Sequence, residues 1–270
     1  MNQNNTYINP AKLVLINLFV LCALVTLPGC ANKTPGEPLK VSAANADSDS
    51  DSAPSDNHDP LEPLNRGIFK VNEVLDGMLL RPLCHIYRGV MPEFAQNGVR
   101  NALDNLASPV VFLNSVLQND PNNAGKTLGR FAINSTVGIA GLFDVAKEIG
   151  IKKEHAKDFG QTMGVYGVGS GPYLMIPILG PSDTRDILGR VADVLSDPFT
   201  WILTADESYA RAAVDGLVRR NDLMPLTDRV YRDSLDPYAT FRSVYLQHRE
   251  NAVRNYLGED SELSRSKDAK

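Results

Sequence analysis

Cysteine, histidine and tryptophan are all scarce in this 270-residue chain, at three, four and one residues. The histidines, His58, His85, His155 and His248, stand far apart without metal-ligand spacing, so no histidine-based metal centre can be assigned. Of the cysteines, Cys22 and Cys30 belong to the N-terminal apolar run and its end. Cys84 is left without a partner for an internal disulfide, a safe arrangement in an oxidising compartment. Its neighbours Leu83 and Ile86 favour a small buried hydrophobe over a nucleophile. On a helix the adjacent His85 would diverge from it, which excludes a simple dyad. Basic residues do not exceed acidic ones: 27 Lys and Arg against 32 Asp and Glu give a net charge of −5 and a pI of about 5.4. The dense cationic surface that nucleic acid requires is therefore missing. After Cys30 no apolar run is long enough to span a bilayer, and strand-like alternation is hard to find.

What is present begins with a targeting segment. Lys12 precedes an apolar run from Leu13 to Leu27, the length of a secretory h-region, so residues 1–29 read as a signal peptide. The run ends in Leu27-Pro28-Gly29-Cys30, which resembles a lipobox, the site where a cysteine thiol receives a diacylglycerol. The alternative, a cysteine buried in an N-terminal helix, is opposed by Pro28-Gly29, which would break that helix. Several acyl chains together anchor a protein stably where one does not. Ala31 rather than aspartate after the cysteine fits sorting to the outer membrane. Residues 31–58, with Asp47-Ser48-Asp49-Ser50-Asp51-Ser52, are too polar to offset the entropy of ordering and read as a disordered tether. A flexible coil of that length reaches roughly 30 Å.

From residue 59 to 257 the pattern is helical, with a polar tail over 258–270. Asp59-Pro60-Leu61-Glu62 suits an N-cap, a first-turn proline and a reciprocal capping acid. Leu64, Ile68, Val71, Leu75 and Met78 then recur at helical spacing. Val99, Leu103 and Leu106 mark another face. Pro109 is expected to start a helix carrying Leu113, and Pro121 one carrying Ala124, Leu128 and Phe131. Ser182 is expected to cap a helix with Ile187, Leu188, Val191, Val194 and Leu195 on one side. That helix should pair Asp186 with Arg190 at i,i+4 and place Asp193 on its solvated side. Asp236-Pro237 opens a last helix, with Tyr238, Phe241, Tyr245 and His248 along one face and Arg242 and Arg249 on others. The fold class is all-α, many medium helices broken by Pro and Gly.

One segment departs from this pattern. Gly164 to Pro181 carries Gly164, Gly167, Gly169 and Gly171 and then the apolar stretch Pro172 to Pro181, which includes Tyr173. Its prolines forbid a continuous helix and its glycines give backbone freedom. Such a loop must be buried by something, either the protein core or lipid, and the residues alone favour the core.

Catalytic motifs fail on inspection. Gly125-Lys126-Thr127 ends a stretch in which Asp120 stands where a P-loop needs glycine. Gly167-x-Gly169 lacks the third glycine of a dinucleotide fingerprint, which Pro172 replaces. Ser170 is flanked by Val168 and Pro172 rather than by the glycines of a nucleophile elbow. No catalytic residue, cofactor or metal is assigned.

A set of short matches runs in order through nearly the whole domain. They are Asp59-Pro60-Leu61-Glu62 with Asn65-Arg66, Arg81-Pro82, Asn97 to Asn101 with Asn105-Leu106, Leu117-Gln118, and Arg130-Phe131 with Asn134. Gly138, Gly141 and Asp144-Val145-Ala146 follow, then Phe159 to Thr162, Tyr166 to Tyr173, Arg185-Asp186, and Asp236-Pro237-Tyr238 with Tyr245 and Gln247. In this order behind a lipobox, the chain resembles the MlaA (VacJ) phospholipid-transport family. The resemblance departs at Lys70-Val71-Asn72-Glu73, where relatives often carry aromatics. It implies a helical, ring-like protein on the periplasmic face of the outer membrane, with an amphipathic channel and a trimeric porin as partner. It also implies removal of mislocalised phospholipid from the outer leaflet and transfer to a soluble periplasmic carrier, MlaC. Under the resemblance the Gly164–Pro181 loop becomes a hairpin beside the lipid path, with Gly164, Gly167, Gly169, Gly171, Pro172 and Tyr173 as its marked residues. The rival reading is a lipoprotein scaffold that binds a porin without conducting lipid; a lipid-cleaving enzyme is a distant third.

The lipobox yields a prediction. Cys30→Ser is expected to leave an unlipidated precursor absent from outer-membrane fractions, checked by metabolic labelling with a fatty-acid probe and by fractionation. An acylated variant in the outer membrane would contradict the anchor.

Overall fold

The computed structural model describes residues 59–268, with side chains through residue 254. The lipobox, Cys30 and the tether through His58 lie outside the described residues. Helix α1 (Glu62–Leu75) passes through a single π-helical segment (Asp76–Leu80) into α2 (Arg81–Val90). There follow α3 (Glu93–Leu117), α4 (Pro121–Thr136), the short α5 (Val145–Glu148) and α6 (Phe159–Val165). A hairpin, β1 (Tyr173–Ile176) and β2 (Gly180–Asp183), leads into α7 (Thr184–Ser196), α8 (Pro198–Ile202), α9 (Ala205–Asp233) and α10 (Pro237–Asp268). Helix dominates, as expected, and the hairpin is the one sheet among the described residues.

Aspartates start half of these helices. Asp120, Asp144, Asp158, Asp183 and Asp197 each accept a backbone N–H from the first turn of α4, α5, α6, α7 and α8. Thr204 and Glu207 form a reciprocal capping box at α9. Each such cap contributes about 1 kcal/mol by satisfying a donor that the helix cannot.

Several expectations about starts are corrected. Asp183, not Ser182, caps α7, because its carboxylate reaches the Asp186 N–H at 2.7 Å. Asp59 does not cap α1. The helix begins at Glu62, and the Asp59 carboxylate instead accepts from Asn65 Nδ2 (2.7 Å), the Tyr238 hydroxyl and Arg242. Pro109 starts no helix: α3 runs through it, since packing against α4 keeps the turn in place and overrides the local break.

The direction of the helix faces is the larger correction. On α1, Leu64, Val71, Val74 and Leu75 are exposed, as is Met78 in the π segment, whereas Asn65 is fully buried. On α7, Leu188, Val191, Val194 and Leu195 are exposed while Arg185, Asp186 and Gly189 are buried. Among the described residues eight hydrophobic side chains are buried against seventeen polar or charged ones. A water-soluble domain shows the reverse preference. Polar pairs therefore do much of the internal holding, and the apolar faces look outward.

The buried polar pairs are well matched. Arg249 on α10 donates to Asp158 at 2.7 and 2.9 Å and to Asp186 at 2.6 Å, joining the starts of α6 and α7. Asp186 also accepts from the Tyr245 hydroxyl at 2.6 Å, so it does not turn to Arg190 as the spacing suggested. Burial works against the Asp158 charge, yet the Arg249 hydrogen bonds hold its carboxyl below the usual range. Removing Arg249 would leave the buried Asp186 with only Arg185, at 3.7 Å, and the part-exposed Asp158 with no cation. Discounted for screening at Asp158, the loss is about 2–3 kcal/mol. Helices α6 and α7 can approach this closely because Gly160 and Gly189 face each other. A Cβ on Gly189 would lie 2.4 Å from the Gly160 nitrogen.

Asp193 is not on a solvated side. It accepts from Asn114 Nδ2 (2.8 Å) and from the Phe159 N–H (3.2 Å), bridging α3 and α6. Burial raises its pKa to about 6, against the opposing hydrogen bond from Asn114. A carboxyl raised in the fold binds more protons there than in the unfolded chain, so stability is full below about pH 4 and falls as pH rises through 6. Discounted for partial solvent screening, the loss is of order 1–2 kcal/mol. Asp193→Asn keeps an acceptor and removes the charge. It is expected to raise the melting temperature at pH 7.5 and to flatten the pH 4–6 slope in thermal unfolding followed by circular dichroism.

Candidate functional site

A polar stripe on α1 sets the position of the hairpin. Asn65, Phe69, Asn72 and Asp76 fall at helical intervals of four, three and four residues, hence on one face. Asn65 donates to the Tyr173 carbonyl (3.0 Å) and accepts from the Met175 N–H (2.9 Å). One heptad on, Asn72 donates to the Ile176 carbonyl (2.9 Å) and accepts from the Ile178 N–H (2.8 Å). Two side-chain amides thus serve the outer edge of β1 as a third strand would, closing groups that the two-stranded ladder leaves open.

The antiparallel register pairs Tyr173 with Asp183 and Ile176 with Gly180, which leaves Pro177, Ile178 and Leu179 as the turn. Leu179 N–H donates to the Pro177 carbonyl at 2.8 Å, and Ile178 between them has φ +68°. An i to i+2 bond with a positive central φ is the rarer, strained form of γ-turn. A β-branched residue there costs on the order of 1–3 kcal/mol.

Beneath the hairpin lies a cavity of about 200 Å³. Met175, Ile178 and Pro181 form its hairpin wall, while Leu75, Leu79 and Leu80 come from the end of α1 and the π segment. Phe69, Tyr231 and Phe241 line the far side as an aromatic cluster with ring centroids 5.6 to 6.4 Å apart. Its volume exceeds the ~150 Å³ of apolar cavities that take up benzene. It suits a hydrocarbon segment.

Charge enters the cavity at one wall. Arg220 of α9 donates to Asp76 through Nε (2.5 Å) and Nη2 (2.7 Å), and through Nη1 to Thr227 (3.1 Å). Asp76 also accepts from Arg81 Nε at 3.0 Å. Burial opposes the Asp76 charge, but the two arginines win and hold its carboxyl below the ordinary value. The π segment begins at Asp76 and sets its backbone carbonyl to accept the Arg81 N–H, one residue beyond α spacing.

The residues marked in the sequence divide around this site. Gly164 lies on α6, packed so that a Cβ would sit 2.7 Å from Val253. Gly167, at φ +89°, and Gly169 have open space around them, and Gly171 faces Thr184. Pro172 is exposed and Tyr173 fully buried, in a core cluster with Met175 and Tyr238. None of these six lines the cavity; the later half of the same segment does. Cys84 is buried, its thiol pushed up by desolvation, and it contacts the Leu217 carbonyl rather than the cavity. Sequence reading passed over Asn65, Asn72, Asp76 and Arg220 as functional candidates. The available signal was an asparagine pair seven residues apart within one helix.

The model of the family described as MlaA lipoprotein matches residues 57–252. The chain belongs to the MlaA lipoprotein family. It is 36% identical over 195 residues to the Escherichia coli K12 protein named intermembrane phospholipid transport system lipoprotein MlaA, covering 71% of this chain and 77% of that one. The Haemophilus influenzae protein of the same name is 30% identical over 263 residues, covering 93% and 94%. An uncharacterized Rickettsia bellii protein is 37% identical over 198 residues, covering 73% and 77%. A solved structure from a study of the "Structural basis for maintenance of bacterial outer membrane lipid asymmetry" superposes with a TM-score of 0.67 at 36% identity. It matches 72% of this chain and 98% of its own. Within this MlaA fold, the Asn72 contacts generate a prediction. Asn72→Ala is expected to speed amide exchange at Ile178 by tenfold or more and to cost about 1 kcal/mol. Hydrogen–deuterium exchange resolved to the 173–183 peptide checks it, with Asn65-bonded Met175 as the protected internal reference.

Proposed function

We propose that this chain is a lipoprotein of the outer membrane, held on the periplasmic face through Cys30. It removes mislocalised phospholipid from the outer leaflet and passes it to a soluble periplasmic carrier of the MlaC type, in company with a trimeric porin. The observation that carries this reading is the inverted burial, apolar faces outward and polar pairs within, beside a cavity suited to hydrocarbon. Outward apolar faces need a hydrocarbon surrounding to be stable, and a leaflet supplies it. No helix among the described residues is long and apolar enough to cross a membrane. The helices in this reading lie within one leaflet.

Transport of this kind needs no bond to be made or broken. It needs a lower barrier for moving a polar headgroup past hydrocarbon, which a cavity with apolar walls and one polar side provides. In the proposed path the cavity holds an acyl segment. The stretch with Gly164, Gly167, Gly169, Gly171, Pro172 and Tyr173 carries the hairpin that bounds it.

Lysine at the hairpin separates transport from scaffolding. Ile178 is exposed at the turn and Gly169 has room for a side chain, so Ile178→Lys and Gly169→Lys are expected to fold and reach normal abundance. A desolvated ammonium is incompatible with passing acyl chains. Cells carrying only either variant should therefore accumulate surface phospholipid, measured by outer-leaflet acylation assay. Normal asymmetry with both would take the hairpin out of the lipid path and leave the scaffold reading.

A further inference from the structure

We propose that Glu73, at the rim of the cavity, selects phospholipids whose headgroup bears a primary ammonium over those whose headgroup is anionic. The inference rests on the transport reading and deepens it by naming the substrate class. Three charged residues line the cavity: Glu73, Asp76 and Arg220. Asp76 and Arg220 neutralise each other through two hydrogen bonds, and Arg220 gives a third to Thr227. The one cation in the lining is thus committed to protein acceptors, and its carboxylate partner is further bound by Arg81. Glu73 is exposed, and its side chain makes no hydrogen bond or ion pair among the described residues. The lining therefore carries one uncompensated negative charge, at its solvent-facing side.

The surroundings of Glu73 suit an ammonium group in a second way. Tyr231, Phe69 and Phe241 form the aromatic wall. Arg81 already lies 5.7 Å over the Tyr231 ring, which leaves the Phe69 and Phe241 faces to attract a further cation. Burial first, and then the nearby Glu73 charge, push the Tyr231 phenol pKa up, so the carboxylate and the ring belong to one local environment. An ethanolamine headgroup entering with its acyl chain in the cavity meets a carboxylate and an aromatic surface. An anionic glycerol-type headgroup meets the carboxylate alone, with no uncommitted cation in the lining to offset it.

The test uses the full lipidated protein purified in non-ionic detergent. It is mixed with equal amounts of dioleoyl phosphatidylethanolamine and dioleoyl phosphatidylglycerol, and bound lipid is counted by native mass spectrometry. Wild type is expected to retain the ethanolamine lipid in about fivefold excess. Glu73→Gln should bring the ratio close to one, and Glu73→Lys should invert it. Both variants should melt as wild type, since Glu73 has no structural partner to lose. A wild-type ratio near one, or a ratio that Glu73→Lys does not move, overturns the assignment while leaving transport intact. Retention of neither lipid by wild type overturns the transport reading itself.

Discussion

The buried amide of Asn65 is the interaction on which the rest of the domain depends. It is fully inaccessible and makes three of its four possible bonds, using both donors: to Asp59, to the Tyr173 carbonyl and from the Met175 N–H. Through Asp59 it is joined to Tyr238 and Arg242 of the last helix. One side chain thus ties the first helix, the hairpin and the last helix, which are distant in sequence. An unsatisfied amide at that depth would cost the desolvation of each abandoned group, so the three elements hold one arrangement or lose all of it. Asn72, one heptad on, then needs only to continue the same pairing toward the strained turn at Ile178.

Polar holding of this kind follows from what the outside of the molecule must be. If Leu64 and Val71 of α1, Met78 of the π segment, and Leu188, Val191 and Val194 of α7 face hydrocarbon, the hydrophobic effect no longer distinguishes inside from outside. Something directional must then specify how the helices pack. Ion pairs and amide contacts do so: Arg249 with Asp158 and Asp186, Arg130 with Asp144 at 2.8 Å, Gln118 with Thr162 at 2.8 Å. Small residues then allow close approach where backbones cross, as at Gly160 and Gly189. The apolar cavity bounded by Phe69, Met175 and Phe241 is an exception inside this polar frame, and that contrast marks it as a site.

Much of this could be read from the chain, and the remainder could not for physical reasons. Helix starts at Pro121 and Asp236-Pro237 were legible because capping and proline geometry are local. Cys84 is buried as expected, but Leu83 and Ile86, the neighbours that suggested it, are exposed. Periodicity identified the apolar stripes of α1 and α7 but not which way they face, because the pattern is the same in water and in lipid. The hairpin came only with the family resemblance, because its strands are four residues long, too short for alternation to register, with Pro172 and Pro177 flanking β1 and Pro181 inside β2. The motif residues that carry the family resemblance prove to be partners of one another. Asp59 meets Asn65 and Tyr238, Arg66 meets Asp236 at 2.6 Å, Asn134 meets Asp144 at 3.0 Å, and Asp186 meets Tyr245. A sequence displays each of them singly, and only the fold displays the pairs.

The central claim is that the outward apolar faces of this domain lie in lipid, and their depth can be measured directly. Single nitroxide labels at Met78 and at Val191, in a Cys84→Ala background reconstituted into liposomes, report collisions with dissolved oxygen and with a water-soluble nickel chelate. The account predicts that both labels meet oxygen far more often than nickel, as hydrocarbon burial requires. Labels at both positions that relax chiefly through nickel would place those faces in water and contradict it.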